Sequence, residues 1–342
     1  MKKVIITTFA ALMLFACQNE QSDSANADAT VASRRGCATQ EVLEAQLKAD
    51  PSLAIRMNEI ETFTTQHAGS NFTGRLVNGK IEIPVVVNVL YRTAAQNISD
   101  AQIQSQIDVL NKDFNALNSD YNNVPALFAG VKANIGITFV LDQVIRKSTT
   151  KTSWGTNDAM KKTAQGGIAP TSPTTKLNMW SCNIGGGILG YAQFPGGASS
   201  TDGVVIDSRY FGLSGAANAP FNLGRTATHE VGHWMNLRHI WGDATCGSDL
   251  VADTPTHNDA NYGVPAYPHY STCSGTPVEM TMNYMDYVDD LAMYMFSAGQ
   301  KSRISAIFTT GGARADICAI VELKSQSKRD VFISLFLFDV KF

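Results

Sequence analysis

The chain has 342 residues, a formal net charge of −3, 44% hydrophobic and 17% charged residues. That length suffices for one large or two ordinary domains, and the composition is that of a globular protein rather than a disordered or membrane-embedded one. The near-neutral charge and the lack of a long Lys/Arg run exclude a general electrostatic attraction to nucleic acid or acidic membranes, and no repeat of fixed period is found.

Lys2 and Lys3 precede an apolar run over residues 4–16, too short to span a bilayer permanently, which reads as an export signal. It ends in Leu14-Phe15-Ala16-Cys17, which resembles a bacterial lipobox and implies a lipid-modified Cys17; a plain secretory signal is the alternative. Either way the protein is expected outside the cytoplasm, at the cell surface, in the outer membrane or secreted, with contact to a membrane only through a lipid anchor. Disulfides persist there. The six cysteines are Cys17, Cys37, Cys182, Cys246, Cys273 and Cys318; lipid on Cys17 leaves five, so at least one thiol lacks a disulfide partner.

Residues 18–35 are small and polar and read as a tether. From about Thr39 to Phe63 apolar residues (Val42, Leu43, Leu47, Leu53, Ile55, Met57, Ile60) fall at helical spacing, and residues 64–80 read as a linker, with globular structure expected from Ile81. Residues 81–91, IEIPVVVNVLY, predict a buried strand. Residues 99–117 predict a helix, with Ser99 and Gln102 as a capping box. Further strands are expected over 135–141, 176–182 and 203–207, with a short extended piece between the glycines of 185–197. This order implies an α/β (α+β) fold around a twisted mixed sheet.

Residues 229–239 read HEVGHWMNLRH. His229 and His233, four apart on a helix, point from one face at one ion, with Glu230 beside it as general base. His239 supplies a third ligand and a water the fourth position, the tetrahedral arrangement of a catalytic zinc. Six residues from His233 to His239 do not fit one helix face, so the chain must turn between them. Asn236 stands at that turn, and asparagine tolerates the left-handed conformation it needs.

HEVGHWMNLRHIWGD, then CGSDLVADTP and MNYMDYVDD, resemble the pappalysin family of metzincin proteases, over roughly residues 81–314. The resemblance implies a zincin catalytic domain with an active-site helix, zinc as cofactor and proteins or peptides as substrates. It also implies that Met285 is the Met-turn methionine and that Tyr287 hydrogen-bonds the tetrahedral intermediate. Asp290, or its neighbour Asp289, would select Arg or Lys after the scissile bond. Cys246 and Cys273 match a family disulfide, and Asp253 and Thr256 are the candidate calcium donors. The segment YAQFP, residues 191–195, matches the edge strand that pairs with substrate. Cys37, in SRRGCAT, resembles a cysteine switch in a propeptide; a disulfide to Cys182 or Cys318 is the competing reading. The expected organisation is a lipoprotein-type signal (1–17), a tether and propeptide (18–80), the catalytic domain (81–320) and an unassigned tail (321–342). The alternative to an endopeptidase is a catalytically silent zinc-binding adhesion module, against which the intact Glu230 argues.

Overall fold

The computed structural model describes residues 32–319 except Ser214 and Ala216. The export signal, Cys17 and the 321–342 tail lie outside the described residues.

The centre is a five-stranded sheet in the order β3-β1-β4-β6-β5. Its strands are β1 (Ile81–Tyr91), β3 (Ile137–Ser148), β4 (Leu177–Cys182), β5 (Gly190–Ala192) and β6 (Val204–Asp207). All pair in parallel except β5, which runs antiparallel to β6 and forms one edge. β1 is buried on both faces from Val85 to Leu90, which is why its sequence there is mostly apolar, interrupted only by Asn88, rather than an alternation. The other edge, β3, runs well past Leu141. Its far end, Gln143 to Ser148, lies beyond the strand expected over 135–141 and is half-buried or exposed, carrying charge at Arg146 and Lys147 as an exposed edge strand does. A two-stranded ribbon pairs β2 (Lys132–Ala133) with β7 (Phe296–Ser297).

Helix α3 (Asp100–Asp113) packs on β3 and begins at Ser99, whose hydroxyl accepts from the Gln102 backbone N–H. The Gln102 side-chain amide donates to the Phe211 carbonyl, anchoring the helix to the loop after β6. Helix α4 (Arg225–Trp234) packs against β5 and β6, and every residue in it is buried. Helix α5 (Ala298–Phe308) starts with a complete capping box between Ser297 and Gln300. A short α6 (Asp316–Ala319) follows.

The N-terminal segment departs from expectation. The 39–63 pattern forms two helices, α1 (Thr39–Ala49) and α2 (Ser52–His67), because Pro51 forces Asp50 out of helical geometry. Ordered structure begins well before Ile81. Arg35, Cys37, Ala38 and Thr39 are buried, and Phe72 packs against the main core.

Candidate metal centre and its plugged cleft

Helix α4 carries His229, Glu230 and His233, and the chain then turns. Asn236 has φ +71°, the left-handed conformation the spacing demanded, and His239 swings back beside the other two imidazoles. His233 Nε2 lies 3.1 Å from His229 Nε2 and 3.0 Å from His239 Nε2. Each Nδ1 faces an acceptor: the Tyr284 carbonyl for His229, the Leu237 carbonyl for His233 and the Asp243 carboxylate for His239. A carbonyl only accepts, so the Nδ1 atoms hold the protons and the Nε2 lone pairs converge on one point. Burial drives His229 well below its ordinary pKa and His233 down to about 3, so these two rings stay neutral. Converging lone pairs repel one another unless a cation lies between them, and three imidazoles suit zinc.

Cys37 completes the cluster. The three histidines and the Cys37 sulfur offer ligand atoms that all lie within 4.8 Å of one another, the one such group among the described residues. Cys37 is a free thiol, as are Cys182 and Cys318, so the disulfide reading of Cys37 is replaced. The Cys246–Cys273 disulfide is present. Residues 36–38 add to the sheet edge at β5, running parallel to it: Leu189 N–H donates to Gly36 O (2.8 Å) and Ala38 N–H to Gly190 O (3.1 Å).

Around this segment every candidate group is engaged. Glu230 is fully buried, which raises its pKa to about 7, and its Oε2 accepts from the Thr39 hydroxyl at 2.9 Å and from the Cys37 sulfur at 3.3 Å. Thr39 Oγ1 also accepts from the Ala192 N–H of β5 (2.9 Å). The Tyr287 hydroxyl donates to the Cys37 carbonyl at 3.1 Å, and its ring meets that of His239 edge-on. Met285 is buried beneath α4, and a Cβ on Gly232 would come within 2.5 Å of its sulfur, so only glycine fits that close approach between His229 and His233.

Asp290 is not a solvated acid: it is fully buried, and its Oδ1 takes the Arg35 guanidinium at 2.6 Å. Arg35 Nη1 also donates to Thr226 Oγ1 (3.2 Å), its Nε to the Val288 carbonyl (3.2 Å), and its plane lies over the Phe221 ring. Asp289 is half-buried and its carboxylate makes no ion pair with Arg35 within 4 Å; its backbone N–H bonds to Gly263 O. Asp253 uses both carboxylate oxygens at the start of α5, on Ser297 Oγ and Gly299 N. Arg35, Thr39, Thr226 and Asp243 were not singled out from the sequence. Arg35 sat in a stretch that read as tether, and the groups it meets are roughly two hundred residues away.

A buried helix with two imidazoles and a carboxylate, a third imidazole after a left-handed turn, a methionine beneath and a sheet edge above that pairs with an extended segment define a metzincin zinc metalloprotease. The family model of pregnancy-associated plasma protein-A, peptidase M43, matches residues 182–309. An extracellular metalloprotease of Pyricularia oryzae is 32% identical over 274 residues, covering 78% of this chain and 81% of its own. Mature mirolysin of Tannerella forsythia in complex with a cleaved peptide is 43% identical, with a TM-score of 0.68 over 70% of this chain and 96% of its own. A mutant of Tannerella forsythia promirolysin is 39% identical, with a TM-score of 0.76 over 83% of this chain and 97% of its own. The chain belongs to the pappalysin family, peptidase M43, and is a metalloendopeptidase.

Proposed function

We propose that this is an exported zinc endopeptidase made as a latent precursor, in which residues 32–74 plug the active site and Cys37 is the switch. The observation that carries the reading is the Cys37 sulfur beside the three convergent histidine nitrogens, with the Cys37 carbonyl on Tyr287 and Thr39 on Glu230. The plug thus takes the water's place, the base and the intermediate-binding hydroxyl together. Promirolysin covers 83% of this chain and mature mirolysin 70%, a difference of about 44 of 342 residues, close to the length of the plug. The names of the extracellular relatives agree with export, and lipid on Cys17 is the anchor we favour.

In the opened enzyme His229, His233 and His239 would hold zinc, whose chemistry is to polarise the scissile carbonyl and make a water acidic. Glu230 takes the proton from that water on its carboxylate and returns it to the leaving amine. Tyr287 donates its hydroxyl proton to the oxyanion as charge develops, in the position where it now meets the Cys37 carbonyl. The β5 edge aligns an extended peptide through the backbone groups that residues 36–38 now use. Asp290, Thr226 and the Val288 carbonyl form a pocket for arginine after the scissile bond, for which Arg35 is the stand-in. A calcium role for Asp253 and Thr256 has less support, since Asp253 already caps α5.

The pocket names the activating bond. Between Cys37 and β1 the basic residues are Lys48, Arg56, Arg75 and Lys80. Lys48 and Arg56 are helical, and Lys80 is held in a tight bridge with Val77. Arg75 is exposed and lies outside any regular element. Purified full chain loaded with zinc should therefore acquire a new N-terminus at Arg75 and, after it, peptidase activity, and a chelator should block both. An active enzyme whose N-terminus still precedes Cys37 would refute latency.

Thr39 should keep the base unavailable. Thr39→Val preserves shape and removes the hydroxyl from Glu230, from the Cys37 thiol and from the β5 N–H, three buried hydrogen bonds each of order ~1 kcal/mol. The variant precursor should activate roughly tenfold faster, while the mature enzyme, which lacks residue 39, is unchanged. Equal activation rates would remove Thr39 from the latency device.

A further inference from the structure

Residues 32–50 fill the cleft, but the plug has a second attachment away from the metal. Along α2 the half-buried and buried positions are Leu53, Arg56, Met57, Ile60, Glu61, Phe63, Thr64 and His67, a single face at three- and four-residue spacing. That face lies on α5 and on the loops around Gly196 and Gly311. Arg56 Nε donates to the Gly196 carbonyl at 2.8 Å, and a Cβ on Gly196, whose φ is +97°, would stand 3.1 Å from Ile60 Cδ1.

The centre of this face is a charge pair. Both oxygens of Glu61 meet Arg303 of α5, at 2.7 Å from Nη1 and 2.7 Å from Nη2. Arg303 is 5% exposed, and Glu61 is the only carboxylate paired with it among the described residues. Its other partners are the carbonyls of Leu250 (3.2 Å) and Asn236 (3.4 Å). The catalytic domain thus builds a planar two-pronged cradle that is filled only by an acid from the plug. Beyond α2, Thr73 is fixed through Thr309 Oγ1 and the Thr310 N–H.

Resting on the latent-precursor reading, we infer that the Arg303 face is a docking surface for an amphipathic helix bearing a carboxylate, occupied in the precursor by residues 52–74. It holds the plug independently of Cys37. Cutting at Arg75 therefore leaves the plug bound, and activation needs a second step, release from α5. Two attachments joined by a short connection reinforce each other through effective concentration, so loss of the α5 contact speeds departure of the whole segment, while the α5 contact alone still retains it.

The test uses the full chain carrying Glu230→Ala, so that self-cleavage plays no part, with a recognition sequence for a site-specific protease inserted after Gly74. After cutting, release of the N-terminal fragment is followed by gel filtration. The fragment should stay with the catalytic domain, and should still do so with Cys37→Ala added. Glu61→Arg should speed its release at least ~tenfold, and Arg303→Glu in the same chain should restore slow release to within about threefold. Should Arg303→Glu fail to fold, Glu61→Gln alone must still speed release. Rapid departure of the fragment in Cys37→Ala, or equal release rates with and without Glu61→Arg, overturns the inference. Failure of the latency reading looks different: with Glu230 intact, the chain is as active before cutting as after, while the fragment still co-migrates.

Discussion

Replacing Glu230 by alanine is expected to leave zinc at one ion per chain and to lower kcat by about 10²–10⁴-fold. The carboxylate is not one of the converging ligand atoms; those belong to His229, His233, His239 and Cys37. Each imidazole is oriented by a partner other than Glu230, namely Tyr284 O, Leu237 O and Asp243, so the cluster survives its removal. What is lost is the one acid on α4 that faces the place where Cys37 sits. In the precursor, burial under the plug lifts this carboxyl to about 7. Glu230→Gln sharpens the measurement, since it keeps the size and the contact to Thr39 while discarding the base. Metal analysis and steady-state kinetics on both variants decide it. Zinc lost along with activity in both would mean that the carboxylate organises the metal site instead of moving a proton.

The part of this site that was legible in the sequence is the part that is local. His229, Glu230, His233 and His239 fall within eleven residues, and their spacing alone dictates a helix followed by a turn; Asn236 does adopt the left-handed conformation that turn requires. β1 was legible to the residue because its β-branched and apolar residues are dense from Ile81 to Tyr91 and the residues flanking it are polar or charged. The plug was not legible in the same way. Arg35 looked like one more charge in a polar tether, and its burial depends on Thr226, Val288 and Asp290, brought beside it only by the complete fold. The competition between a switch and a disulfide for Cys37 could not be resolved from cysteine counting. The answer lay in which groups surround the sulfur, and those come from α4 and from the turn beyond it. The helical pattern of 39–63 was legible, but not what α2 attaches to, since its Glu61 meets Arg303 of α5 only in the complete fold.

Asp290→Asn should abolish selection for arginine after the scissile bond. In the precursor Asp290 divides its two oxygens: Oδ2 accepts from Leu223 N (2.8 Å) and Arg225 N (3.3 Å) at the start of α4, and Oδ1 faces the guanidinium. An asparagine keeps its carbonyl on the two backbone donors, because an amide NH₂ there would oppose them. The NH₂ then points into the pocket, donor against donor. Removing one partner of a buried ion pair costs about 3–5 kcal/mol, so kcat/KM for peptides with arginine at that place should fall by roughly 10²–10⁴-fold. Peptides with alanine there never use the carboxylate and should lose little. Thr226 Oγ1, the Val288 carbonyl and the Phe221 face match a planar fork, so the wild-type enzyme should favour arginine over lysine, whose ammonium is a single point charge. A peptide series varying only that residue measures both effects. An equal loss for arginine, lysine and alanine would show that Asp290 acts by holding the start of α4. A loss confined to the basic peptides would place the pocket at Asp290 and make Arg35 an arginine substrate side chain that the precursor supplies to itself.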